Sequence, residues 1–129
     1  MMNHSQLLSA KILEQVLLGK NLDKSFELIF TKYNVNDSEN LPQIKDMVYG
    51  AIRALGKSSF YIKQLVPKKI ENQCLEALLH EVLFQITHER SNNFTLVNQA
   101  VDASKKIDSK KSAFINAVLR NFLRNISRV

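Results

Sequence analysis

Between Cys74 and Ile86 the residues Cys74, Leu75, Leu78, Leu79, Val82, Leu83 and Ile86 recur three and four positions apart. An α-helix completes a turn in about 3.6 residues, so this spacing gathers them on one face and predicts a central, well-buried helix. A strand would require alternation, and no alternating run of useful length supports one. The whole chain of 129 residues holds only 3 Gly and 2 Pro, too few turn formers for an all-β fold. No two of the glycines lie close enough to form a phosphate-cradling loop, which argues against a nucleotide-binding α/β domain.

The same period runs through the rest of the chain. Leu7, Leu8, Ile12, Leu13, Val16 and Leu17 form a first apolar face, with Ser5 as the expected N-cap and Gly19 as the expected stop. A second helix is predicted from about Asn21 to Tyr33. The polar stretch from Asn34 to Asn40 reads as a loop, and Pro42 suits the first turn of a third helix. That helix uses Ile44, Met47, Val48, Ile52 and Leu55. Gly56 is expected to interrupt it before the pattern resumes through Phe60 and Ile62, and Pro67 ends that segment. After a polar break from His88 to Asn93, two further helices are predicted on Leu96 to Ile107 and on Phe114 to Ile126. The expected fold class is all-α, a compact bundle of about six or seven helices in a single domain over residues 1–129.

Several chemistries are disfavoured. The lone Cys74 lies on an apolar stripe, with neither the cationic setting nor the exposure a thiolate nucleophile needs, and reads as a buried structural cysteine. His80 and His88 are eight apart, whereas a helical metal pair is spaced by four, and Glu81 and Glu89 complete no ligand set. Both histidines read as surface or helix-end residues. Neither a nucleophile elbow nor a carboxylate pair for acid–base work stands out, so this chain is not expected to be an enzyme in itself, and no metal or cofactor is expected in it. No secretory signal or membrane-spanning stretch is apparent, and a cytoplasmic location is expected.

Charge is unevenly distributed. Residues 1–102 hold 11 Lys and Arg against 11 Asp and Glu, whereas residues 103–129 hold Lys105, Lys106, Lys110, Lys111, Arg120, Arg124 and Arg128 against Asp108 alone. Seven minus one accounts for the entire net charge of +6. Such a concentration is either a solvated face or a docking surface for a polyanion. On the last helix Ser112, Asn116, Arg120, Arg124 and Arg128 recur every fourth residue along one edge, roughly opposite the apolar set. Successive guanidiniums would stand ~6 Å apart, close to a phosphate repeat, and arginine binds phosphate bidentately. With no aromatics interleaved, contacts to backbone rather than bases are expected. Arg53 and Lys57, near the end of the third helix, are weaker candidates; Tyr49 and Asn116 read as packing and hydrogen-bonding residues.

Three stretches, in order and spacing, resemble the NusB-like all-helical domain over nearly the whole chain. They are Met47-Val48-Tyr49-Gly50-Ala51-Ile52-Arg53 with Phe60-Tyr61-Ile62; Leu78 to Ile86; and Val97-Asn98-Gln99-Ala100-Val101-Asp102 followed by Phe114-Ile115-Asn116-Ala117-Val118-Leu119-Arg120-Asn121-Phe122-Leu123-Arg124. One branch of that family comprises transcription antitermination factors that bind a short RNA with a ribosomal-protein partner. The other is the N-terminal domain of the RsmB (Sun/Fmu) 16S rRNA cytosine-5 methyltransferases. Tyr49 to Arg53 and the ending Asn116 to Arg124 are similar to the second branch. In the first, an acidic residue usually stands where Arg120 is, and the opening helix is arginine-rich. Here Asn3 to Lys11 offers one lysine and no arginine.

The resemblance implies a non-catalytic N-terminal domain that positions ribosomal RNA for a C-terminal catalytic domain absent from this chain. The S-adenosylmethionine of such an enzyme would belong to that absent domain. Lys105, Lys106, Lys110, Lys111, Arg120, Arg124 and Arg128, with Arg53 and Lys57, would supply phosphate contacts. The implied partners are ribosomal RNA and the catalytic domain; a homodimer is left open. The alternatives are a free-standing antitermination factor and a protein-interaction domain docking on the parent enzyme.

Overall fold

The helices begin and end where the chain supplies partners for their terminal backbone groups. In the computed structural model, which describes residues 5–35, 40–88 and 92–126, the elements run α1 (Ser5–Leu17), α2 (Leu22–Lys32), α3 (Asn40–Arg53), α4 (Leu55–Leu65), α5 (Gln73–His88), α6 (Asn93–Asp108), a 3-10 turn (Ser109–Lys111) and α7 (Ser112–Ile126). The expected all-α fold is what these elements form, with no strand among the described residues.

Gly19 closes α1 at φ 98°, a left-handed conformation that glycine adopts at little cost. Its N–H bonds Val16 O (2.9 Å) and that of Lys20 bonds Gln15 O (3.0 Å), the paired pattern of a Schellman stop. Asn21 then caps α2 by accepting from Lys24 N at 3.2 Å. The Asn72 side chain accepts from Cys74 N and Leu75 N, Asn92 from Phe94 N, and Asp108 from Lys110 N, so the starts of α5, α6 and the 3-10 turn are also set by Asx residues, whereas α4 starts after Ala54 without a side-chain cap. Ser5, expected as an N-cap, is instead the first residue of α1, and its hydroxyl reaches Gln43 Oε1 on α3 at 3.4 Å.

The interruption expected at Gly56 falls two residues earlier, at Ala54 (φ −94°, ψ 7°). Ala54 N bonds Gly50 O (3.0 Å) and Ser58 N bonds Ala54 O (2.8 Å), so Ala54 closes α3 and opens α4 at a hydrogen-bonded bend. Gly56 lies inside the first turn of α4 with open space where a Cβ would be.

Helix α5 is the axis of the larger core, as its apolar spacing predicts. Leu75, Leu78, Leu79, Val82 and Leu83 pack with Leu13 of α1, Val97 and Ala100 of α6, and Ile115, Leu119 and Phe122 of α7. A second cluster joins α1, α2 and α3 through Ile12, Phe26, Ile29, Ile44 and Val48, and Ile52 packs against both. Polar groups thread between the helices. Gln6 Nε2 donates to Gln85 Oε1 (2.8 Å) and to Leu96 O (3.3 Å), and Ser9 Oγ bonds Met47 Sδ (3.6 Å). Among the described residues, no helix is long and apolar enough to cross a membrane.

Candidate nucleic-acid interface

The C-terminal cations follow from a helical hairpin. Helices α6 and α7 pack along one another, and the 3-10 turn between them is too short to bury its side chains. Lys105 and Lys106 in the last turn of α6, and Lys110 and Lys111 in the turn itself, are all exposed. Lys105 pairs with Asp102 one turn back at 3.8 Å. Both side chains are solvated there, so the pair holds the lysine weakly.

Lys111 does not act alone. It lines a cleft of about 330 Å³ together with Lys68, Lys69 and Glu71 from the α4–α5 connection and Phe114 from α7, over a floor of Ile70 and Leu75. Lys68 and Lys69 lie some forty residues earlier (111 − 69 = 42), in a stretch whose charges cancel on average. Sequence reading passed over them because it summed charge by segment. The adjacency of two lysines after Pro67 was the available signal.

The arginine edge of α7 is less open than its spacing suggests. Arg120 is half-buried; its Nε donates to Asn116 Oδ1 at 2.9 Å, and its guanidinium lies over the Phe94 ring, 5.2 Å from the centroid. Phe94, at the start of α6, is itself 59% exposed. An aromatic therefore does stand beside the basic edge, supplied by another helix. Arg124 is exposed near the end of α7, and Arg128 lies outside the described residues. From Lys111 to Arg120 is roughly 14 Å along the helix at 1.5 Å per residue, so lysines and arginines occupy different stretches of the hairpin.

Arg53 and Lys57 sit elsewhere. They line a groove of about 510 Å³ with Asp46, Tyr49, Gly50, Ala54, Phe84 and His88, and share no lining residue with the lysine cleft. Asp46, Tyr49, Gly50 and Arg53 repeat at three and four on one face of α3, and the hydrogen-bonded bend at Ala54 continues that face to Lys57. Gly50 lets the Phe84 ring of α5 lie against the α3 backbone; a Cβ there would sit 2.0 Å from the ring. Phe84 in turn stacks on His88, centroids 4.6 Å apart and planes at 27°. His88 Nδ1 lies 3.2 Å from Phe84 O. The Thr87 hydroxyl lies closer still, 2.8 Å from the same Nδ1. Tyr49 is 40% exposed, its ring 5.9 Å from that of Phe26.

Other candidates resolve as structure. Cys74 is buried, and burial, helped by nearby Glu14, pushes its thiol up to about 12, so it is no nucleophile at neutral pH. His80, expected at the surface, is buried instead: it shares a short hydrogen bond with Ser58 Oγ on α4, and burial lowers it to about 4. His88 does end its helix, as expected. No group of three or more His, Cys, Asp or Glu able to hold a metal occurs among the described residues.

Comparison with known proteins adds three findings. The sequence model of the NusB family matches residues 3–124. Ribosomal RNA small subunit methyltransferase B of Pasteurella multocida (strain Pm70) is 31% identical over 124 residues; the match takes in 93% of this chain but spans only 27% of that protein. A chain from a crystal structure described as that of a plectonemic RNA supercoil superposes with a TM-score of 0.82 at 19% identity, over 95% of this chain and 93% of the other. At that identity the likeness speaks for the fold alone.

Proposed function

The chain belongs to the NusB family, and on that premise we propose that it is a non-catalytic RNA-binding domain that holds ribosomal RNA for a cytosine-5 methyltransferase domain outside this sequence. The observation that carries the reading is the meeting of Lys68, Lys69 and Lys111 around one cleft, at the hairpin turn where the net charge is already concentrated. A ring of ammonium groups on a rigid helical frame attracts a phosphate backbone and fixes its register without reading sequence. The likeness to the first quarter or so of a small-subunit rRNA methyltransferase supplies the class of RNA, and with it a cytoplasmic setting. The S-adenosylmethionine such an enzyme would use does not fit here. The three glycines stand apart in sequence, and Gly50 is filled against Phe84, so nothing cradles a nucleotide cofactor in a glycine loop.

The test is a salt titration with a single-stranded fragment of small-subunit rRNA. If about four lysines release counterions, log affinity falls against log salt with a slope near −3. Absence of binding at low salt, or a flat titration, would remove the reading.

A further inference from the structure

We propose that the groove between α3 and α5 is a pocket for one unstacked nucleotide of single-stranded RNA: the base lies against Tyr49 and the Phe84–His88 stack, and its phosphate meets Arg53 and Lys57. This inference rests on the RNA-binding reading above but uses a different surface.

The groove combines features that neither a packing defect nor a general basic face requires. Its volume of about 510 Å³ is that of a small-molecule site. One wall is aromatic, and the Phe84–His88 stack is held in place by the contact with Gly50 below and by the polar contacts of His88 Nδ1 with Thr87 Oγ1 and Phe84 O. The other wall carries two exposed cations in successive turns, Arg53 and Lys57. Bases stack on any aromatic face, whereas phosphates seek guanidinium and ammonium groups, so the two walls match the two halves of a nucleotide. Asp46 lines the same groove. Its carboxylate repels a phosphate placed beside it but accepts from the exocyclic amine of cytosine, adenine or guanine, which orients the base toward Asp46 and the phosphate toward Arg53 and Lys57. Duplex RNA cannot enter in this way, because its bases are already stacked.

The experiment measures anisotropy of two labelled RNAs at low salt with the full chain: a mixed-sequence single strand of about ten nucleotides and a blunt duplex. Tyr49→Ala should weaken the single strand roughly 5- to 100-fold, the worth of one base–aromatic stack, and leave the duplex within about twofold. Tyr49→Phe should retain wild-type binding. Arg53→Ala with Lys57→Ala should weaken the single strand selectively, while Lys110→Ala with Lys111→Ala should weaken both RNAs alike. Should Tyr49→Ala lose helicity by circular dichroism, the exposed Arg53/Lys57 pair decides alone. Unchanged single-strand affinity in the groove variants, with the lysine effect intact, overturns the pocket and leaves the RNA-binding reading standing. Failure of the wild-type chain to bind either RNA overturns both. A polyglutamate peptide whose binding is lost on Arg53→Ala/Lys57→Ala, with RNA affinity intact, would reassign the groove to a protein partner and overturn the proposal.

Discussion

Glu81 has no exposed surface, and neither carboxyl oxygen has a hydrogen-bond partner among the described residues. Burial raises its pKa well above the ordinary 4.5, so the folded chain keeps the proton that the unfolded chain sheds as pH rises past that value. Stability should therefore fall with rising pH on its account. His80 acts oppositely: between 6.5 and about 4 the unfolded chain takes up a proton that the folded one refuses, so stability falls as pH drops. Above 4.5 and below 6.5, where their windows overlap, the two slopes oppose each other. The unfolding free energy of Glu81→Gln from urea titration should accordingly be higher than wild type at neutral pH, by on the order of 1–3 kcal/mol, and converge with it near pH 4. A gap that persists at pH 4 would mean packing, not ionisation, sets the cost. Arg120 offers a second case. Its contacts to Asn116 and the Phe94 ring predict a coupling of about 0.5–1 kcal/mol in an Arg120→Ala/Phe94→Ala cycle read by thermal unfolding. At this scale the sequence spoke well for Cys74, whose apolar neighbours announce its burial. It misled for His80, because the Ser58 hydroxyl that makes burial tolerable comes from another helix, 22 residues away.

Every helix predicted from apolar spacing exists, because periodicity and Asx caps are local properties of the chain. What local reading could not place were the meetings between helices. The crossing of α3 and α5 at Gly50 is the sharpest example, since nothing in the neighbourhood of Gly50 in sequence names Phe84 as its partner. Adding one methyl there forces the ring aside, so Gly50→Ala should destabilise by roughly 1–3 kcal/mol in urea unfolding. A combined Gly50→Ala/Phe84→Leu variant should recover part of that loss, through the non-additivity expected of touching residues. If Gly50→Ala alone is neutral, the close approach of the two helices is not maintained in solution. The Ala54 bend was likewise misplaced by two residues, glycine being the conspicuous breaker, whereas the turn there needs no positive φ.

For the whole molecule, the fold redistributes charge that the sequence lays out in order. The C-terminal excess was legible from arithmetic alone; its reinforcement by Lys68 and Lys69, and the separate station of Arg53 and Lys57, required the third dimension. Lys68→Ala with Lys69→Ala should thus flatten the salt dependence of RNA binding by about 1.4, as much as Lys110→Ala with Lys111→Ala does, if each lysine meets one phosphate. A difference between the pairs would show that the cleft is not used evenly. One architectural feature bears on how the protein is made. The opening helix rests on partners encoded late: Gln6 is bound to Gln85 and to the Leu96 carbonyl, 79 and 90 residues downstream. A ribosome can therefore bring one side of that first segment against α2 and α3 early, but must deliver most of the polypeptide before the side bearing Gln6 has a berth, and until then that flank is a natural client for chaperones.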